Sequence, residues 1–150
     1  MSTSVLITGG NRGLGLGMVE RYLKLPNHTV IAANRNLEHP SSTALSNLPT
    51  AEGTKLLLVK LDVAVWQDAF DAVNELKSQG IDHLDIVIAN AGVSYTFPPV
   101  AEAKLEDLEN HMRPNAWGLV SLYQATRPLL RKSQKEAVFT LMGSTAGSLK

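Results

Sequence analysis

Five short apolar runs divide the chain: Val5 to Thr8, Val30 to Ala33, Leu56 to Leu61, Leu84 to Ala89 and Ala137 to Met142. None of them alternates polar with apolar residues. A strand covered by helices on both faces reads this way, because neither face meets water, and such strands belong to parallel sheets. The stretches between the runs carry helical spacing. Leu14, Met18 and Tyr22 fall four apart, and Trp66, Phe70 and Val73 repeat at four and three in a segment opening at Asp62. Leu105, Leu108, Met112, Ala116, Leu119, Tyr123, Thr126 and Leu130 keep one face over a long segment. Strands alternating with helices predict the α/β class, a doubly wound parallel sheet joined by right-handed crossovers. The segment from Asn36 to Thr54 is richer in polar residues and proline, and a short helix is expected only around Ser42 to Asn47. Pro114 lacks a backbone donor and should kink the long helix, and Pro128 should disturb its end. Trp66, Phe70 and Met112 fit core packing, and Asp62 suits the N-cap of the helix that holds Trp66.

A length of 150 residues suits one domain, taken as 1–150. With 14 basic and 14 acidic side chains the net charge is zero, which argues against a nucleic-acid footprint. The absence of cysteine excludes a disulfide scaffold and thiolate zinc sites, and fits a reducing compartment. The four histidines show no paired metal spacing and read as surface or capping residues; no metal is expected. No segment approaches the roughly 18 consecutive apolar residues of a membrane span. The N-terminus has neither the basic region nor the long apolar core of a secretory signal. The expectation is a cytoplasmic protein without a membrane partner.

Five of the eleven glycines lie between Gly9 and Gly17, where the first strand hands over to the first helix. Such a turn needs positive φ or close backbone approach, and glycine permits both. The helix start then offers free N–H groups and a partial positive charge to a pyrophosphate, with Leu14 supplying one N–H. No Gly-Lys-Ser/Thr follows, so this is not a P-loop.

The pattern Thr8-Gly9-x-x-x-Gly13-x-Gly15 resembles that of the short-chain dehydrogenase/reductase family. Four further pieces stand in the family's order. Asp62 in Leu61-Asp62-Val63 matches an acid placed near the adenine ring, and Asn90-Ala91-Gly92 resembles the Asn-Ala-Gly motif after strand four. Asn115 matches the asparagine of the catalytic tetrad, and Ser144, in Gly143-Ser144-Thr145-Ala146-Gly147, matches the catalytic serine. Arg113-Pro114 precedes Asn115 where an apolar residue is usual. More narrowly, Ala51-Glu52-Gly53, His83-Leu84-Asp85 and Gln124-Ala125-Thr126-Arg127 look like the fungal norsolorinic acid ketoreductase-like members, which reduce ketones on aromatic polyketides. The resemblance implies a Rossmann-type fold with five of the family's seven strands.

It also implies a nicotinamide cofactor held by Gly9, Arg12, Gly13, Leu14, Gly15, Arg35, Asp62, Asn90 and Gly92. NAD-binding folds usually end strand two with an acid that holds the ribose hydroxyls. Here Asn34 stands in that place, followed by Arg35, with Arg12 in the glycine loop. A 2′-phosphate wants guanidinium partners and would be repelled by a carboxylate, so NADPH is expected over NADH.

In the family a tyrosine gives its proton to the substrate carbonyl, and a lysine lowers the tyrosine pKa. The serine hydroxyl steadies the developing oxyanion. Ser144 and Asn115 match two of the four roles. The tyrosines are Tyr22, Tyr95 and Tyr123, and four residues beyond them stand Pro26, Pro99 and Arg127. No Tyr-x-x-x-Lys follows Ser144, and Lys150 has no partner tyrosine. The resemblance therefore implies an N-terminal portion of an NADPH-dependent ketoreductase acting on a small carbonyl compound, inactive as these 150 residues and homo-oligomeric in full-length form. A non-catalytic NADP(H)-binding sensor or partner protein is the alternative. Strand five would be an exposed edge and the long helix would expose an apolar stripe, so poor solubility is expected.

Overall fold

The computed structural model describes residues 2–144. Five parallel strands form one sheet: β1 (Thr3–Thr8), β2 (His28–Asn34), β3 (Lys55–Lys60), β4 (Ile86–Ala89) and β5 (Val138–Leu141), in the order β3-β2-β1-β4-β5. Leu6 sits between Ile31 and Val87 in the register, so the middle of β1 is the middle of the sheet. β1 and β2 are buried on both sides, which is why they read as unbroken apolar runs.

Two apolar layers flank the sheet. On one face Val5, Ile7, Val30 and Ala32 pack with Val19 and Leu23 of α1 (Gly13–Leu23) and with Leu45. On the other, Leu6, Ile31 and Val87 pack with Ala72, Val73 and Leu76 of α3 (Asp68–Ser78) and with Leu122, Ala125 and Leu129 of α5 (Gly118–Leu130). The polar segment after β2 holds a single helical turn, α2 (Pro40–Thr43), continued as a 3-10 turn over Ala44–Asn47.

The long helix is interrupted. α4 (Leu105–Met112) ends in a π-helical stretch, Arg113–Trp117, before α5 begins. Pro114 opens that stretch, and the Gly118 N–H reaches back five residues to the Arg113 carbonyl. The missing proline donor is absorbed by a widened turn instead of a simple kink. The buried stripe of α5 is Ser121, Leu122, Ala125, Thr126, Leu129 and Leu130. The face expected to be continuous from Leu105 is broken: Leu105, Leu108, Met112 and Tyr123 are exposed, whereas Thr126 and Leu130 are buried.

Two further core expectations fail. Trp66 and Met112 are about half exposed, at 47% and 46%. Phe70 does pack against the core. Asp62 does not cap α3, which starts six residues later; it accepts the Ala64 N–H at 2.9 Å, and Asp68 accepts the Asp62 N–H at 2.7 Å. Asp68 also pairs with Lys60. β5 closes the order of described strands, with Val138 and Leu141 exposed, as are Trp117, Val120 and Tyr123 on the neighbouring helix. Among the described residues no helix is long and apolar enough to cross a membrane.

At the end of the sheet away from the carboxyl ends, Asp85 is 2% exposed and ties β1 to the turn before β5. Its carboxylate accepts the Ser4 N–H at 2.9 Å and the Ser133 hydroxyl, and His83 and Lys135 approach to 3.6 and 4.0 Å. Burial pushes this carboxyl up, but the Ser133 and Ser4 hydrogen bonds and the nearby cations outweigh it and hold it below its ordinary value.

Candidate functional site

The carboxyl ends of the strands face a cleft of about 850 Å³. Gly9, Arg12, Gly13, Leu14, Arg35, Asp62, Asn90 and Gly92 all line it. A smaller cavity of about 460 Å³ adjoins, sharing Asn90 to Val93, Pro114 and Met142, and carries Asn115 and Ser144. The strand order reverses between β1 and β4, so the site lies at the switch point, where open α/β sheets bind ligands.

The glycine loop is built from backbone contacts. The Gly9 N–H donates to the Ala33 carbonyl at 2.8 Å, holding the loop to β2. Gly9 and Gly13 have φ of +67° and +56°. A side chain at Gly13 would meet nothing within 4 Å, so this glycine serves the backbone turn and leaves open space in front of α1. Gly15 serves close packing: a Cβ there would stand 2.0 Å from the Gly9 carbonyl oxygen and 2.7 Å from Asn90 Nδ2. It is buried and does not line the cleft. Arg12, at the N-cap of α1, makes no side-chain cap and the first turn holds no acid. The N–H groups there are left for an anion.

Asn90 joins this loop to the one after β4. Its Nδ2 donates to the Thr8 and Gly9 carbonyls at 3.0 and 3.3 Å. Thr8 returns the link, its Oγ1 accepting the N–H groups of Asn90 and Ala91 at 3.0 Å each. Asn115 secures the next residues. Its Oδ1 accepts the Val93 N–H and its Nδ2 donates to the Val93 carbonyl, both at 2.8 Å. Ser144 is the last described residue; Thr145 to Lys150 lie outside the described residues.

Asn34 differs from its expected place beside the ribose. It is 1% exposed, on the same face of β2 as Val30 and Ala32, and the cleft is lined instead by Arg35 and Asn36. Neither Arg12 nor Arg35 has an ion-pair partner among the described residues, and Asp62 is the single carboxylate among the lining residues. Arg113 also lines the cleft, paired with Glu109 at 3.1 Å. No sequence signal assigns a role to Thr8, Asn11 or Ser41, and His39, expected as a surface or capping residue, does cap α2 but also lines the cleft. Thr8 stood in the quoted motif without a role, and His39 and Ser41 lie in a polar segment with no periodicity.

A parallel sheet of this order, with a glycine turn entering a helix at its switch point, is a Rossmann-type dinucleotide-binding fold. The uncapped helix start and two free guanidiniums fit the anionic groups of a dinucleotide. The chain belongs to the short chain dehydrogenase family, whose profile it matches over residues 3–150. That family comprises oxidoreductases that act on small molecules with a nicotinamide cofactor. The chain is 42% identical over 149 residues to the norsolorinic acid ketoreductase nor1 of Dothistroma septosporum, covering 98% of this chain and 55% of that protein. It is 45% identical over 152 residues to the short chain dehydrogenase gsfK of Penicillium aethiopicum, covering 99% and 59%. Among solved structures, the NADPH-bound carbonyl reductase from chicken fatty liver superposes with a TM-score of 0.85 at 28% identity, covering 99% of this chain and 59% of that one. The chain thus spans little more than half the length of the curated relatives it matches.

Proposed function

We propose that these residues form the cofactor-binding part of an NADPH-dependent ketoreductase that reduces a ketone to an alcohol. The observation that carries the reading is the pair Arg12 and Arg35, lining the cleft beside the glycine loop where an NAD-type site would place an acid. Two guanidiniums suit a 2′-phosphate, which forks well onto planar donors. Ketoreductase-named relatives and an NADPH-bound carbonyl reductase of the same fold support it.

When bound, the nicotinamide supplies a hydride. The chain's own residues bind and orient. Gly9, Gly13 and Leu14 present backbone groups to the phosphates, and Asp62 receives the adenine end. Asn90 ties the glycine loop to the loop after β4, with Gly15 packed against it, and Gly92 lines the cleft beside them. Ser144 donates its hydroxyl proton in a hydrogen bond to the substrate carbonyl as charge develops there. Asn115 keeps the loop at Val93 in place beside it. The proton donor of the family's Tyr-x-x-x-Lys is not among the 150 residues, and turnover is expected of a form that carries it.

The alternative reading is a non-catalytic NADP(H)-binding protein. Carbonyl-dependent NADPH oxidation separates the two. A longer form that carries Tyr-x-x-x-Lys is expected to oxidise NADPH when an aromatic ketone is added, and to lose that activity on Ser144→Ala. NADPH binding with no oxidation over a panel of ketones would overturn the reductase reading.

A further inference from the structure

Arg12 and Arg35 share their end of the cleft with Asn11, His39 and Ser41. These three are wired together. Asn11 Nδ2 donates to Ser41 Oγ at 2.6 Å, and Ser41 Oγ lies 2.8 Å from His39 Nδ1. The Ser41 N–H donates to the same nitrogen at 3.2 Å. A backbone N–H cannot accept, so His39 Nδ1 is an acceptor and the neutral ring carries its proton on Nε2. Among the described residues that Nε2–H has no protein partner.

We infer that His39 is a third donor to the 2′-phosphate of NADP(H), held in the right tautomer and orientation by Ser41 and Asn11. The inference rests on the NADPH reading above and adds a residue to it. A cap on α2 alone would need only Nδ1; what the cap does not explain is a ring in the wall of the cleft, beside two unpaired guanidiniums, with its donor nitrogen spare. Asp62 is the carboxylate in the same wall, and Glu38 precedes His39 in sequence. Against one lining carboxylate, two cations and an N–H donor leave this end of the cleft suited to a dianion. Ser41 and Asn11 act on His39 as positioning residues, holding its ring through the hydrogen bonds to Ser41.

The test is fluorescence titration of this chain with NADPH and with NADH, which differ only in the 2′-phosphate. The parent chain is expected to bind NADPH more tightly. His39→Ala is expected to weaken NADPH roughly ten-fold, the size of one hydrogen bond to a charged group, and to leave NADH within about two-fold. Ser41→Ala is expected to show a smaller loss with the same selectivity. His39→Arg keeps a donor but cannot accept the Ser41 N–H, so it should retain the preference. Equal weakening of both dinucleotides by His39→Ala would reduce His39 to a cap and overturn the inference. Unchanged NADPH binding would overturn it as well, leaving the NADPH reading intact. A parent chain that binds both dinucleotides equally, or neither, removes the NADPH reading and this inference together.

Discussion

Asn115 holds Val93 by both of its backbone groups, accepting its N–H and donating to its carbonyl, each at 2.8 Å. A side-chain amide thus replaces a strand partner for a loop residue 22 positions away. The contact joins the π turn of the interrupted helix to the loop after β4. Asn115→Ala removes both bonds at once. The Val93 amide should then exchange with solvent much faster, while Asn90 and Ala91, held by Thr8, keep their protection. Hydrogen-exchange mass spectrometry of the 90–94 segment reads this directly. Unchanged exchange at Val93 would mean that other packing holds the loop.

Gly15 and Gly17 stand two residues apart on α1 and should respond oppositely to alanine. A Cβ at Gly15 falls 2.0 Å from the Gly9 carbonyl oxygen, where backbone must move. Gly15→Ala should cost about 2–3 kcal/mol and weaken both dinucleotides, since it displaces the loop itself. At Gly17 nothing lies within 4 Å, and Gly17→Ala should stabilise by about 0.5–1 kcal/mol through helix propensity. Thermal melts of the two variants check both signs.

Asp85 makes stability pH-dependent. Its folded carboxyl lies below its ordinary value, so its contribution is fully present above the unfolded value of about 3.9 and disappears as pH falls through the lower folded value. Asp85→Asn should destabilise by about 1–3 kcal/mol at neutral pH, leaving Ser133 and the Ser4 N–H poorly matched. Below the folded value the difference between variant and parent should shrink. Denaturant melts at neutral and acid pH test this; a constant difference across pH would show that Asp85 acts by packing alone.

Much of the fold was legible because β1 and β2 are covered on both faces, and such strands cannot hide their apolar runs. The glycine loop was legible because its residues answer to backbone geometry. The long helix is legible only in part: a proline inside it permits either a kink or a widened turn, and of the expected face Thr126 and Leu130 are buried while Leu105, Leu108, Met112 and Tyr123 are exposed. Trp66 reads as core by size alone, but it lies in the turn before α3 begins and is about half exposed. Asn34 and Arg35 show the same limit. Which of two neighbours turns into the core depends on the strand's last pleat, and here Asn34 follows Val30 and Ala32 inward. Ser41 is not legible because its hydrogen bond to Asn11 spans 30 residues, and for His39 the sequence shows a surface or capping residue but not its place in the cleft wall.

That inward turn decides where specificity can be changed. A carboxylate at Asn34 would be buried and costly, whereas one at Arg35 would face the cleft. Arg35→Asp should weaken NADPH at least ten-fold, with NADH nearly unchanged. Asn34→Asp should lower the melting temperature without moving the NADPH to NADH ratio. A ratio that moves with Asn34 and not with Arg35 would reverse the assignment.

The central claim is that this chain carries a dinucleotide site built for a 2′-phosphate. It is tested most directly by titrating the unmodified chain with NADPH and NADH side by side and comparing dissociation constants. The account predicts saturable binding of both, with NADPH at least ten-fold tighter and the gap narrowing as salt is raised, because the difference is a charge on two exposed guanidiniums. Equal affinities at low salt, or tighter binding of NADH, would contradict it.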